Sequence, residues 1–124
     1  MSGNTNMQRL EAIALELPEA TRVDIEAWEG EPTFRVRGKN FIFTNQEATG
    51  ITVKLPADEA EAVVATDPAA TPTGYGLGRH GWVSVELPED ASEERWGQVR
   101  EWVRTSYQLV APKRLARLVE EQDG

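Results

Sequence analysis

Three short runs between residues 33 and 55 alternate apolar and polar side chains: Thr33-Phe34-Arg35-Val36-Arg37-Gly38, Asn40-Phe41-Ile42-Phe43-Thr44 and Ile51-Thr52-Val53-Lys54-Leu55. A period of two is the signature of strands with one buried face, and it excludes an all-helical fold. In the first run it sets Phe34 and Val36 inward, with Arg35 and Arg37 sharing the outward face. In the last it sets Ile51, Val53 and Leu55 inward, with Thr52 and Lys54 outward. Gly38-Lys39 reads as the tight connection of a hairpin over residues 33–44.

The flanking segments complete the order. Met7, Leu10, Ile13, Ala14 and Leu17 recur at helical spacing and Pro18 ends the run. Val23, Ile25 and Ala27 alternate with Asp24, Glu26 and Trp28 as in a half-buried strand. Pro56 suits a first helical turn, followed by helix formers up to Asp67-Pro68. Residues 68–81, rich in proline and glycine, read as a loop. Trp82-Val83-Ser84-Val85-Glu86-Leu87 is a further strand, and Ser92 is an N-cap with Glu93 and Glu94 in the first turn. Trp96, Val99, Val103 and Tyr107 line one helical face, and Leu115, Leu118 and Val119 stripe a last helix after Pro112. The expected fold is α+β, an antiparallel sheet packed by helices in the order α-β-β-β-β-α-β-α-α, not a doubly wound sheet.

A chain of 124 residues with 27% charged residues is expected to form one domain over 1–124, with an ordered core at about 7–121. Without cysteine there is no disulfide framework, thiolate nucleophile or cysteine-type zinc site. The polar start and the lack of any long apolar run point to a cytoplasmic protein with no membrane association. The net charge of -8 opposes bulk electrostatic coating of nucleic acid. The charges are nonetheless segregated. Arg35, Arg37 and Lys39 fall in an acid-free stretch, as do Lys113, Arg114 and Arg117.

The chain's only histidine, His80, sits in Gly76-Leu77-Gly78-Arg79-His80-Gly81, which matches G-x-G-x-x-G. A dinucleotide loop needs a helix immediately after the glycines. Here a strand follows, so the segment reads as a turn. A catalytic or metal-binding histidine would need partners that the sequence does not supply at recognisable spacing. The Asp24, Glu26, Glu29, Glu31 run reads as a solvated face in preference to a cation bridge. No metal or cofactor is expected, and no nucleophile, base and oxyanion site assemble by spacing, so a non-enzymatic protein is expected.

Three stretches carry a family resemblance: Trp-Glu-Gly-Glu-Pro-Thr-Phe-Arg-Val-Arg-Gly-Lys-Asn-Phe at 28–41, Gly-Arg-His-Gly-Trp at 78–82 and Leu-Val-Ala-Pro-Lys-Arg-Leu-Ala at 109–116. With Val-Lys-Leu-Pro at 53–56 in the same order, the chain resembles the MmcQ/YjbR family of small bacterial proteins from about Leu10 to Leu118. The resemblance implies an antiparallel α+β fold similar to frataxin-like domains, described as double-wing, and a DNA-binding role. In many members the histidine directly precedes the tryptophan, whereas Gly81 separates His80 from Trp82 here.

Two binding modes follow. In the first, a basic face of Arg35, Arg37, Lys39, Lys54, Arg79, Lys113 and Arg114 around Trp28 and Trp82 takes DNA, the cations on phosphates and an aromatic stacked on a base. In the second, Trp28, Phe34 and Trp82 wall a groove in which Lys39, Arg79, His80 and Lys113 grip the carboxylate or phosphate of a small anionic ligand or peptide, or the same surface takes a protein partner. A concave pocket favours the second, a continuous convex basic strip the first. Trp96 and Trp102 are assigned to the core.

Overall fold

The computed structural model describes residues 5–25, 31–73 and 80–123. Helix α1 (Asn6–Leu15) starts at a capping box, in which Thr5 accepts from the Gln8 backbone and the Gln8 side chain accepts from Thr5. A meander follows of β1 (Ala20–Ile25), β2 (Glu31–Val36), β3 (Lys39–Thr44) and β4 (Gly50–Lys54). Helix α2 (Ala57–Thr66), strands β5 (Ala70–Pro72) and β6 (Trp82–Glu86), and helices α3 (Glu93–Val110) and α4 (Lys113–Asp123) complete the chain. The strands form one sheet in the order β1-β2-β3-β4-β6-β5, antiparallel throughout.

The expected α+β class is the observed one, with one added element. Residues 70–72, expected as loop, form β5, which pairs Ala70 with Val85 and Pro72 with Val83. A three-residue edge strand is too short to show a period, and proline is tolerated at an edge where its missing N–H is not needed.

The helices lie together on one side. Helix α3 packs on β3 and β4, α1 on β1 and α3, α4 on α3 and α2 on β5 and β6. Phe34, Val36, Ile42, Val53, Val83 and Val85 face this layer and are buried. Trp96, Val99, Val103 and Tyr107 meet them from α3, as their spacing predicts. Full burial of each such side chain stabilises by roughly 1.5–3 kcal/mol. Arg9 lies over the Trp96 ring and Arg95 over that of Trp102, closing the helical layer with cation–π contacts.

Strict alternation in Asn40–Thr44 would put Phe41 and Phe43 on one face and Ile42 on the other. A register shift opposite Phe34/Arg35 overrides it: Phe34 pairs with Ile42 but Arg35 pairs with Asn40, which leaves Phe41 as the extra residue of a bulge. Phe41 and Ile42 are both buried as a result. Phe41 meets Tyr107 edge-on at 5.4 Å. Phe43 takes the opposite face of the sheet.

Other expectations are corrected at the periphery. The hairpin turn is Arg37-Gly38, both at positive φ (52° and 79°), and Lys39 already belongs to β3. Arg37 therefore does not share a strand face with Arg35. Val23, expected inward, pairs with Thr33 and faces away from the helices, 36% exposed. Arg22 instead meets α1, through an ion pair with Glu11. Leu118, expected in the α4 stripe, is 42% exposed, while Leu115 and Val119 are buried. Among the described residues, no helix is long and apolar enough to cross a membrane.

Candidate binding face on the open side of the sheet

The strand register arranges the helix-free face into three rows running across the strands. The middle row is Val23, Thr33, Phe43, Thr52, Ser84 and Thr71, each opposite the next. One row toward the β2–β3 turn come Thr21, Arg35, Asn40, Lys54 and Trp82. One row the other way, Ile25 lies opposite Glu31 and Gly50 opposite Glu86.

Chemistry is graded along the strands. Cations and an indole occupy one end, hydroxyls and a phenyl ring the middle, and two carboxylates the other end. Phe43 and Trp82 bridge the first two zones, their rings edge-to-face with centroids 5.4 Å apart. Ser84 Oγ lies 3.0 Å from Thr52 Oγ1 and 3.1 Å from Thr73 Oγ1, a chain of hydroxyls with reversible donor direction. Arg35 donates through Nε to Thr33 Oγ1, which itself donates to the Val23 carbonyl. This leaves the terminal nitrogens of Arg35 available.

A depression of about 380 Å³ opens in the middle and acidic zones. Phe43, Thr52, Thr71 and Ser84 floor it, and Glu31 and Glu86 stand at its walls. Glu31 Oε2 is buried and has no hydrogen-bond partner, as does Asn40 Oδ1 in the cationic row. Such atoms are uncommon in folded proteins and carry a desolvation penalty that a ligand donor would relieve.

The ten residues singled out in the sequence do not form one face. Arg35, Lys54 and Trp82 come together as described. Arg37 sits in the turn and is held by Glu19, with Nε–Oε1 at 2.6 Å and Nη2–Oε2 at 3.1 Å. Glu19 and Arg37 each adopt positive φ, 59° and 52°, so a bidentate pair joins two left-handed residues. That hydrogen bonding lowers the Glu19 pKa and raises that of Arg37, and Arg114 adds to the field on Glu19. Lys113 and Arg114 open α4, in the helical layer and not on the open face. Lys39 is exposed at the start of β3. His80 is exposed immediately before Gly81. Trp28 and Arg79 lie outside the described residues, as do Glu26 and Glu29.

Phe34, expected as a groove wall, is fully buried among the helices and cannot line one. The residue that takes its place is Phe43. The bulge at Phe41 reverses the facing of this segment, and no local pattern in the sequence announces it. Glu31, expected on a solvated face, instead buries Oε2 and stands with Glu86, which no sequence pattern singles out, because the ladder brings both to one end of the face. Beside Trp82, a second depression of about 330 Å³ is lined by Ala57, Glu61, Val64 and Pro72, without a cation. Asp24 is taken up by Arg22 at 2.9 Å. Among the described residues, no three His, Asp or Glu side chains converge as a cation site requires.

Gly81 answers what the glycine-rich segment does at its end. Its φ is 88°, and a Cβ there would lie 2.0 Å from the Leu55 carbonyl oxygen. The Gly81 carbonyl accepts the Leu55 N–H at 2.9 Å. The glycine thus lets the chain press against β4's exit, which starts β6 in register and sets Trp82 opposite Lys54.

A family model described as YjbR matches residues 15–109. Among solved structures, the crystal structure of Deinococcus radiodurans protein DR2400, described with a DUF419 domain, is similar, with a TM-score of 0.72 at 20% identity. The match covers 94% of this chain and 88% of that one. At that identity the likeness speaks for the fold. No curated protein matches the sequence.

Proposed function

The chain belongs to the YjbR family, and from its open sheet face we propose that this member is a non-enzymatic binding domain for a small ligand with an anionic group and a flat or apolar body. The observation that carries this reading is the Phe43–Trp82 pair beside Lys54 and Arg35 on the face of the sheet away from α3, with α2 flanking its Trp82 end. Aromatic rings offer a large apolar contact at low entropic penalty, while two cations of different reach fix the anion. The adjoining depression lies in the volume range of small-molecule sites, roughly 300–1,000 Å³. A ligand gripped locally needs no positive overall field, so a net charge of -8 is no obstacle.

DNA is the second reading, favoured by the same aromatic pair, on which unpaired bases could stack. Its weakness is charge. With Arg37 paired to Glu19 and Lys113 and Arg114 in the helical layer, only Arg35 and Lys54 remain for phosphates on this face among the described residues. Glu31 and Glu86 would repel a strand that continued along it.

Calorimetric titration with phenylpropionate and with single-stranded oligothymidylate, each at low and physiological salt, separates the two. The small-ligand reading expects phenylpropionate to bind and Lys54→Met or Trp82→Ala to weaken it about tenfold, the loss of one charge-assisted hydrogen bond or stacking contact. Lys113→Gln should change nothing. Oligothymidylate binding that falls by about 0.7 log units per log salt for each phosphate contact would favour DNA. Absence of binding by either probe would remove the open face as a site.

A further inference from the structure

The grading of charge along the strands says more about the ligand than that it is anionic. Arg35 and Lys54 lie four residues from Glu31 and Glu86 respectively in register terms: Arg35 is four beyond Glu31 in β2, and Trp82, opposite Lys54, is four before Glu86 in β6. At about 3.3 Å per residue, the cationic and acidic rows are roughly 13 Å apart. The Phe43 ring and the hydroxyls of Thr52, Ser84 and Thr71 occupy the interval. None of the four charged groups has an ion-pair partner among the described residues, and Glu31 Oε2 is buried without a hydrogen bond.

We propose that this face binds a short peptide with both ends free, about four residues long, lying along the strands. Its carboxylate rests on Arg35 and Lys54, and its terminal ammonium enters the depression between Glu31 and Glu86. A central apolar or aromatic side chain packs on Phe43 and Trp82. The proposal rests on the small-ligand reading and supplies its class. An extended tetrapeptide spans about 13–14 Å, which matches the separation of the two rows. A carboxylate accepts from the Arg35 guanidinium in planar geometry, with the Lys54 ammonium as a second donor. An ammonium brings three donors for the Glu31 and Glu86 carboxylates that line this end of the depression. Peptide N–H and C=O groups along the middle find hydroxyls that can donate or accept. A simple anion leaves the acidic end unused, and a simple cation leaves the basic end unused. Only a dipolar ligand of this length meets both.

The test is calorimetry with the tetrapeptide Gly-Phe-Gly-Gly, its N-acetylated form and its C-terminal amide, using the full chain and two variants, Glu31→Gln/Glu86→Gln and Lys54→Met. The free peptide should bind, and blocking either end should weaken it at least about tenfold, one charge-assisted contact. The double glutamine variant should lose affinity for the free peptide but not further for the acetylated one. Lys54→Met should do the same with respect to the amide. Equal binding of free and blocked peptides overturns the proposal, as does failure of all the peptides while phenylpropionate still binds. The second outcome leaves the small-ligand reading standing, whereas equal binding of the amide counts against that reading too, because the anion is then not gripped. Failure of peptides and phenylpropionate alike removes both. Thermal unfolding of each variant guards against loss of the fold.

Discussion

The Ser106 hydroxyl accepts the backbone N–H of Lys54 at 2.9 Å. The same oxygen donates to the Phe41 carbonyl at 2.6 Å, fully buried. The bulge at Phe41 interrupts the β3–β4 ladder, whose last pair on this side is Ile42 with Val53. A side chain of α3 thus fills a gap in the sheet, and it holds the backbone of a residue whose side chain faces the opposite surface. Packing on one side of the sheet positions chemistry on the other.

Ser106→Ala should therefore destabilise the fold by about 2 kcal/mol, since it leaves a buried N–H and a buried C=O without partners. Urea unfolding is the check, with the midpoint falling and the slope unchanged. Affinity at the open face should also fall through the loosened Lys54. A midpoint equal to that of the parent chain would show that water or a shifted strand replaces the hydroxyl.

The two positive-φ glycines of the described chain predict opposite outcomes. An alanine at 38 meets nothing within 4 Å, so Gly38→Ala carries only backbone strain, about 1–2 kcal/mol. An alanine at 81 places its Cβ 2.0 Å from a backbone carbonyl oxygen. Gly81→Ala must then move β6 or the exit of β4, and should be destabilising by more than about 4 kcal/mol or unfold the chain. Thermal denaturation of the pair measures the difference.

Acid sensitivity should trace in part to Asp67. The Arg95 guanidinium, 2.7 Å away, and the Ala69 N–H hold its carboxyl below the ordinary value of 3.8. A carboxyl depressed in the folded state contributes stability above its unfolded pKa and loses it as pH falls through the folded value. The parent chain should lose stability as pH drops below about 4. Asp67→Asn should start less stable at neutral pH and show a shallower loss over that window in urea titrations. Identical slopes would place the acid sensitivity elsewhere, for instance at Glu19 and Glu93, which their arginine partners also depress.

Tyr107 donates its hydroxyl to the Pro18 carbonyl at 2.6 Å, and burial pushes its phenol above the ordinary value. Tyr107→Phe should cost about 1 kcal/mol. In a Tyr75→Phe background, where Tyr107 is the one phenol, its spectrophotometric midpoint should lie above the ordinary phenol value. Ionisation near the ordinary value would mean that the α3–Pro18 contact opens readily.

The strands of the meander and the buried stripe of α3 were legible because their periods are strong and their apolar faces lie against one layer. Phe34, Val36, Ile51 and Val53 all face as alternation demands. What was illegible depends on pairing. The Phe41 bulge inverts the facing of Phe43, and β5 is too brief to show a pattern. Arg37 reads as a strand residue until the turn and Glu19 claim it. The binding face shares this logic. Arg35, Lys54 and Trp82 were visible as outward residues, but Glu31, Glu86 and Phe43 join them only through register. Register depends on the whole sheet and not on any local run.

A ligand on this sheet face should perturb the strands beneath it and leave the helical layer unchanged. Amide proton–nitrogen spectra of the labelled chain, recorded through a titration with phenylpropionate, report every backbone site at once. The prediction is concentration-dependent shifts at Phe43, Thr52, Lys54, Trp82 and Ser84, with Lys113, Arg114 and the exposed turns of α4 unmoved. Shifts confined to the helical layer, or none on the sheet at millimolar ligand, would contradict it.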